Sequence, residues 1–135
     1  EIGKALVLNE GSDVSLIATG HLVWEALEAA KQLEAEGISA EVIDIHTIKP
    51  LDNEAILRSV AKTGCVVGCE EHQYNGGLNE SIAQLLVRNN PAPMEFVGVD
   101  DKFGESGTPD DLMAKYGLKA TNIVAAAKKA IARKK

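Results

Sequence analysis

The chain has 135 residues, of which 45% are hydrophobic and 25% charged, and its formal net charge is −6. This length and composition are typical of one soluble globular domain, which we assign to residues 1–135. The negative charge argues against nucleic-acid binding, since nucleic-acid-binding proteins usually present a basic surface. The basic residues near the end of the chain lie at the end of the last predicted helix, where cations interact favourably with the helix dipole.

The sequence shows no sign of export or of membrane insertion. No apolar run approaches the roughly 20 residues that a spanning helix needs, and there is no signal peptide. The first residue is Glu1 rather than Met, so we expect that something upstream was removed or left out. Cys65 and Cys69 lie in one predicted strand with Cα atoms roughly 13 Å apart. A disulfide needs less than about 7 Å, and two unpaired thiols favour the reducing cytoplasm.

The chain begins with two short apolar runs that predict a β-hairpin. The first run covers Ala5 to Leu8, and the second covers Val14 to Ala18. The loop between them is short and contains Gly11, as hairpin loops often do. The first strand is therefore expected to lie antiparallel to the others at an edge of the sheet.

From Leu22 onward, helical and strand-like segments alternate along the chain. Strands are predicted at Ala40 to Ile45, Cys65 to Glu70 and Met94 to Val99, and helix N-caps at Asp52, Thr108 and Thr121. Gly37 and Gly64 end the first two helices. Such alternation implies parallel strands joined by right-handed crossovers, with helices on both faces. The predicted fold is a three-layer α/β/α sandwich whose five-stranded sheet is mostly parallel, with one antiparallel edge strand.

All three histidines, His21, His46 and His72, follow predicted strands. Parallel strands would bring them to one edge of the sheet, near the acidic residues of the adjoining loops. Imidazoles and carboxylates gathered there could bind zinc or act as acids and bases. The alternative is that polar residues collect where loops are, and no pair has the close spacing of common metal motifs. We therefore predict no metal site.

Two loops with glycines and carboxylates follow predicted strands, and we expect them to mediate association or ligand binding. Glycine allows close backbone approach, carboxylates can pair across an interface, and aromatic rings in both loops add apolar area. The glycines before the third helix could instead let amides bind an anion, but no G-x-G-x-x-G or Walker loop is present. The candidate residues are Glu70, Glu71, His72, Tyr74, Gly76, Gly77, Phe103, Gly104, Ser106 and Gly107. Trp24, on the first helix, is expected in the core or in a subunit contact.

A series of short segments has a characteristic order and spacing along the chain. They are Gly3-Lys4-Ala5, Glu10-Gly11-Ser12-Asp13-Val14, Leu16-Ile17-Ala18-Thr19-Gly20, Ile48-Lys49-Pro50-Leu51-Asp52, Glu70-Glu71-His72, Gly76-Gly77-Leu78, Phe103-Gly104-Glu105-Ser106-Gly107 and Lys115-Tyr116-Gly117-Leu118. Together they resemble the C-terminal domain of transketolases, a family of thiamine-diphosphate-dependent enzymes. The loop from Glu70 to Leu78 resembles the version in split transketolases, whose C-terminal half is a separate gene product.

This resemblance implies a domain that is inactive by itself. In the family, thiamine diphosphate and Mg²⁺ bind between two other domains, the pyrophosphate- and pyrimidine-binding domains, and the C-terminal domain helps to hold the dimer together. The resemblance therefore implies no catalytic, cofactor-binding or metal-binding residue in this chain. Its implied partners are those two domains and a second subunit. The whole cytoplasmic enzyme would transfer a two-carbon ketol unit between sugar phosphates.

Three alternatives remain open at the level of the sequence. The same type of domain occurs in 1-deoxyxylulose-5-phosphate synthase and in the β subunits of 2-oxo acid dehydrogenases. The segment from Phe103 to Gly107, with the following Leu112 and Tyr116-Gly117-Leu118, resembles transketolase more than either. The third alternative is a free-standing module that binds a ligand at the carboxyl edge of its sheet.

Overall fold

The computed structural model describes residues 3–46, 50–70, 77–98 and 119–134, which form a five-stranded sheet flanked by helices. The strands are β1 (Leu6–Asn9), β2 (Val14–Ala18), β3 (Ala40–Asp44), β4 (Val66–Cys69) and β5 (Met94–Val97), and the helices are α1 (Leu22–Glu34), α2 (Asn53–Thr63), α3 (Leu78–Asn89) and α4 (Ala120–Ala132). The short helix predicted after Thr108 lies outside the described residues. No helix in the described part is long and apolar enough to cross a membrane.

The strands have the order β1-β3-β2-β4-β5, with β1 antiparallel to its neighbour and the other pairs parallel. This arrangement confirms the predicted mixed sheet with an antiparallel edge strand. The predicted hairpin is wrong, because β1 pairs with β3 and not with β2. Strand β2 already has parallel neighbours on both sides, β3 and β4. The loop after β1 must therefore cross the beginning of β3 before β2 can start.

Close contacts to the backbone of β3 hold this crossing in place. The side-chain amide of Asn9 donates to the Ala40 carbonyl at 2.8 Å, and the Gly11 amide donates to Glu41 Oε1 at 3.1 Å. A Cβ on Gly11 would lie 2.3 Å from the carbonyl carbon of Ala40. The loop can pass this close to β3 because residue 11 has no side chain.

The helices form one layer on each face of the sheet. Helices α1 and α4 cover one face, and α2 and α3 cover the other. Successive strand residues point to opposite faces, so that Leu16 packs with α1 and α4 whereas Ile17 packs with α2 and α3. Each fully buried side chain of this size stabilises the fold by about 1.5–3 kcal/mol. The predicted three-layer α/β/α sandwich is confirmed.

The ends of α1 and α2 follow the local sequence. The side chain of Asp52 accepts the Ala55 amide at 3.2 Å and caps α2, as predicted. Gly64 follows that helix with φ of 83°. After α1, Gly37 has φ of 80°, and the next amide donates to Leu33 O at 3.0 Å. This hydrogen bond closes the wider of the two turns of the Schellman motif, in which glycine takes the left-handed position.

The start of α4 differs from the prediction that Thr121 is its N-cap. The N-cap is Lys119, and Thr121 lies inside the first turn. The Lys119 amide donates to Asn122 Oδ1 at 3.1 Å. The Ala120 amide donates to Glu25 Oε1 of α1 at 2.9 Å. Tertiary packing thus supplies an acceptor that the local sequence does not reveal.

Candidate functional site

The residues that follow β2, β3 and β4 gather at the carboxyl edge of the sheet. Backbone hydrogen bonds extend the pairing one residue beyond each strand: Thr19 N to Cys69 O at 3.2 Å, Ile45 N to Ala18 O at 2.9 Å, and Glu70 N to Val97 O at 3.0 Å. This alignment fixes where His21, His46 and Glu70 leave the sheet. In open α/β sheets this edge is the usual position of ligands and partner surfaces.

Glu70 caps helix α3 from outside the helix. Its Oε2 accepts the Leu78 amide at 3.0 Å, and its Oε1 accepts the Asn79 amide at 2.8 Å. Only 4% of Glu70 is exposed. A carboxylate that accepts the first amides of a helix also interacts favourably with the helix dipole. Glu70 therefore ties the end of β4 to the start of α3.

Gly77 is the N-cap of α3, in an extended conformation that any residue can adopt. The sequence suggested that the glycines before this helix could let its amides bind an anion. The amides of Leu78 and Asn79 already have Glu70 as their acceptor. An external anion would have to compete with a buried carboxylate of the chain itself, which makes this helix start a poor anion site.

Asn79 lies over Gly68 of β4, a contact that sequence analysis did not predict. A Cβ on Gly68 would lie 2.0 Å from Asn79 Oδ1 and 3.1 Å from Met94 Cε. Asn79 is 2% exposed, and neither its side-chain oxygen nor its nitrogen has a hydrogen-bond partner. The sequence contains one indication of this contact, because a glycine inside an apolar run often marks a place where another segment lies close to the strand.

A shallow groove of about 490 Å³ lies at the same edge, between β1 and α1. His46 Nε2 lies 3.6 Å from Asp44 Oδ2 beside this groove, and half of the histidine side chain is exposed. Across the described ranges, no group of three or more His, Cys, Asp or Glu side chains could hold a metal ion.

Most of the predicted loop residues lie outside the part of the chain that the structure describes. Of the ten candidates, the structure describes Glu70 and Gly77. The others are Glu71, His72, Tyr74, Gly76, Phe103, Gly104, Ser106 and Gly107. Their assignment to an interface or a ligand loop stays a prediction.

The two cysteines are free and buried. Burial raises the pKa of the Cys65 thiol, although the nearby Lys134 ammonium opposes this effect. Burial also raises the pKa of Cys69, far above its usual range. Neither thiol is suited to act as a nucleophile near neutral pH, because the reactive form is the thiolate.

Comparison with known proteins identifies the family. The family model described as Transketolase, C-terminal domain, matches residues 3–123. This chain belongs to the transketolase C-terminal domain family. It is 50% identical to the 6-deoxy-6-sulfo-D-fructose transketolase subunit of a Clostridium species, over 98% of this chain and 41% of that protein. It is 38% identical to 1-deoxy-D-xylulose-5-phosphate synthase 1 of Geobacter sulfurreducens, over 98% of this chain and 21% of that protein.

A solved structure shares both the sequence pattern and the fold of this transketolase C-terminal domain. It is described as a split gene transketolase, an inactive beta4 tetramer, and its TM-score is 0.94 at 49% sequence identity. The match covers all of this chain and 44% of the other. The chain thus spans less than half the length of the relatives it matches.

Proposed function

We propose that this chain is the non-catalytic C-terminal domain of a thiamine-diphosphate-dependent transketolase subunit. The observation that supports the proposal most strongly is the family match over residues 3–123. In addition, this chain matches 44% of the length of a split gene transketolase chain. The whole enzyme would transfer a two-carbon ketol unit between sugar phosphates in the cytoplasm. Identity is higher to the Clostridium transketolase subunit, at 50%, than to the synthase, at 38%, which favours the transketolase over the synthase alternative.

The described residues do not fit a thiamine diphosphate site. A diphosphate would need free amides or cationic side chains and a metal ion held by oxygen ligands. The first amides of α3 are occupied by Glu70, and the described residues provide no cluster of metal ligands. We therefore assign cofactor binding to the pyrophosphate- and pyrimidine-binding domains of the enzyme, and association to this domain.

Calorimetry with thiamine diphosphate and Mg²⁺ tests the cofactor assignment. Chain 1–135, once circular dichroism has shown that it is folded, should give no saturable heat of binding. The full-length enzyme with its partner domains should bind the cofactor under the same conditions. Saturable, magnesium-dependent binding by chain 1–135 in the micromolar range would show that the assignment is wrong.

We further propose that the loops at residues 70–77 and 100–107 contact the other domains or the second subunit of a homodimer. Both loops follow parallel strands, β4 and β5, in the chain. In the full-length enzyme, Tyr74→Ala and Phe103→Ala should weaken dimerisation, whereas substitution of His21, His46 or His72 should leave metal content unchanged. An unaltered dimer constant in both aromatic variants would contradict this role.

A further inference from the structure

An apolar surface lies open between the edge strand β1 and the helix α1. Its members, which we call the β1–α1 surface, are Leu6, Leu8, Trp24 and Leu27. Trp24 is 74% exposed, Leu6 49% and Leu8 43%, and Leu8, Trp24 and Leu27 line the groove described above. Leu6 is paired in register with Asp44, which lines the same groove. The four side chains therefore belong to one continuous surface.

Soluble proteins usually cover features such as the two that form this surface, an unpaired strand edge and a large exposed aromatic ring. In the described part of the chain β1 has a strand neighbour on one side, so its other backbone edge is unpaired. Its sequence, Leu-Val-Leu-Asn, carries neither a charge nor a proline to protect that edge. Trp24 also contributes a large exposed ring, and tryptophan is among the residues that contribute most to binding at interfaces.

We propose that the β1–α1 surface is covered by the part of the longer protein chain that precedes residue 1. This proposal rests on the proposed function, in which the chain is the C-terminal domain of a longer subunit. The similar split gene transketolase chain is more than twice as long, since this chain matches 44% of it. On the proposed function, a large segment precedes this domain in the same chain.

The beginning of the chain is held at the edge of the sheet next to β1, where Ala5 packs on the face that α2 and α3 cover. The Ala5 amide donates to Asp52 Oδ2 at 2.9 Å, and a Cβ on Gly3 would lie 3.2 Å from Pro50 Cγ. Strand β1 starts at the next residue, and Leu6 lies opposite Asp44 at the carboxyl end of β3. A preceding segment is therefore attached at the edge strand, within a few residues of Leu6.

Attachment at this position favours the preceding segment over a second copy of the chain. A tethered segment acts at a high effective concentration, whereas a second copy must bind from solution. Strand addition to β1 would gain little for either occupant, because β1 has four residues and its register shifts between Val7 and Asn9. The contact is therefore expected to be made mainly by side chains. Beside Trp24, the charged residues Glu28, Lys31 and Glu34 form a rim of mixed sign. An apolar centre with a polar rim is the usual composition of a contact between domains.

Photocrosslinking in the full-length protein tests the proposal. The photoreactive residue p-benzoylphenylalanine is placed at position 24 or, as a matched control, at position 87. Val87 on α3 is also 74% exposed but lies outside the β1–α1 surface. An equal mixture of isotope-labelled and unlabelled protein separates crosslinks within a chain from crosslinks between chains. We expect position 24 to crosslink within its own chain to peptides upstream of Glu1, and position 87 to give no such products.

Crosslinks from position 24 between labelled and unlabelled chains would overturn the proposal in favour of a second copy. The same yield of upstream crosslinks at both positions, or none at either, would show that the surface is not specifically covered. As a second readout, Trp24→Lys should raise the rate of limited proteolysis ahead of residue 3 by about tenfold, and Val87→Lys should not. Equal rates would count against the proposal.

Ketol transfer is measured in parallel on the unmodified subunit assembled with its partner domains. An active enzyme without upstream crosslinks would leave the proposed function standing while this inference fails. An inactive assembly that still gives intrachain crosslinks at position 24 would contradict the proposed function and support the contact inferred here. The two proposals therefore fail separately.

Discussion

Asn79 on α3 rests against Gly68 on β4 so closely that the two positions cannot be varied independently. An added Cβ at residue 68 would lie 2.0 Å from Asn79 Oδ1 and 3.0 Å from Asn79 Cγ. The buried amide of Asn79 makes no side-chain hydrogen bond in exchange. A buried amide without a partner costs about 1–3 kcal/mol. The buried Asn79 side chain is therefore expected to lower the stability of the fold.

A double-mutant cycle should measure this coupling. Gly68→Ala alone should lower the free energy of unfolding by about 1–3 kcal/mol, because the new methyl group overlaps Asn79. Asn79→Ala alone should be neutral or stabilising, since no hydrogen bond of that side chain is lost. In the double variant the cost of Gly68→Ala should largely disappear, as the methyl group fills the space that Asn79 vacated. Urea denaturation measures all four proteins, and additive effects would contradict the packing account.

Glu70→Gln should destabilise the fold by about 1–3 kcal/mol. A glutamine amide can offer its oxygen to only one of the Leu78 and Asn79 amides, and its own NH₂ group would face the other. The predicted loss should appear in urea denaturation. In hydrogen exchange the Leu78 and Asn79 amides should lose protection before the rest of α3.

Glu54→Gln is the matched control for the Glu70 variant. Glu54 is an exposed acidic residue in the first turn of α2, so its substitution removes a favourable dipole charge without removing an acceptor from buried amides. The expected loss is a few tenths of a kcal/mol. Equal losses in the two variants would mean that Glu70 acts through its charge and not through its two hydrogen bonds.

The sequence predicted the layered architecture because hydrophobic periodicity is a local property. The alternation of strands and helices, the cap at Asp52 and the glycines at positions 37 and 64 each follow from a few neighbouring residues. The pairing of β1 with β3 could not be predicted from neighbouring residues. It depends on the passage of Gly11 across β3, which is a contact between segments about 30 residues apart.

The candidate site shows the same division between local and tertiary information. Sequence analysis selected Glu70 as an interface or ligand-loop candidate at the end of a strand, and that role stays a prediction. The structure places Glu70 directly after β4. The sequence could not identify its carboxylate as the cap of α3. Eight residues separate Glu70 from Leu78, and a local capping box spans only three. The prediction that Thr121 is the N-cap of α4 failed for a similar reason. The first amide of α4 has its acceptor in Glu25 of α1, which is distant in the sequence.

Glu41 should make the stability of the fold depend on acid pH. It is 3% exposed, and burial alone would raise its pKa. Hydrogen bonds from Lys62, Ser59 and the Gly11 amide together outweigh burial, so the pKa of Glu41 lies below its usual value of 4.5. The folded state therefore binds a proton less readily than the unfolded state. The resulting stabilisation is fully present above pH 4.5 and is lost as the pH falls towards the folded-state pKa.

Urea denaturation of the wild type and of Glu41→Gln from pH 7 to pH 3 tests this dependence. The wild type should be more stable by about 1–3 kcal/mol at pH 7, and the difference should shrink below pH 4.5. Glu34→Gln serves as the control, since Glu34 is exposed on α1. Its substitution removes no hydrogen bond to a buried group, so it should change the free energy of unfolding at pH 7 by no more than about 0.5 kcal/mol. A constant difference between the wild type and Glu41→Gln at all pH values would contradict the linkage.

Gly11→Ala tests the crossing that sets the pairing of β1. The new methyl carbon would lie 2.3 to 2.6 Å from backbone atoms of Ala40 and Glu41, which cannot rotate away as a side chain can. We expect a loss of roughly 3 kcal/mol in the free energy of unfolding, at the upper end for overpacked sites. Amides of β1 should also exchange faster, because the loop must lift away from β3.

Gly37→Ala separates this steric effect from the cost of a left-handed backbone. Gly37 has φ of 80°, but nothing lies within 4 Å of its Cβ position, so its substitution strains only the backbone. That strain costs about 1–2 kcal/mol and should leave exchange in β1 unchanged. Gly11, by contrast, is not among the glycines with positive φ, so its requirement for glycine comes from the contact with β3. If Gly11→Ala costs no more than Gly37→Ala and β1 keeps its protection, the close crossing does not determine how β1 pairs.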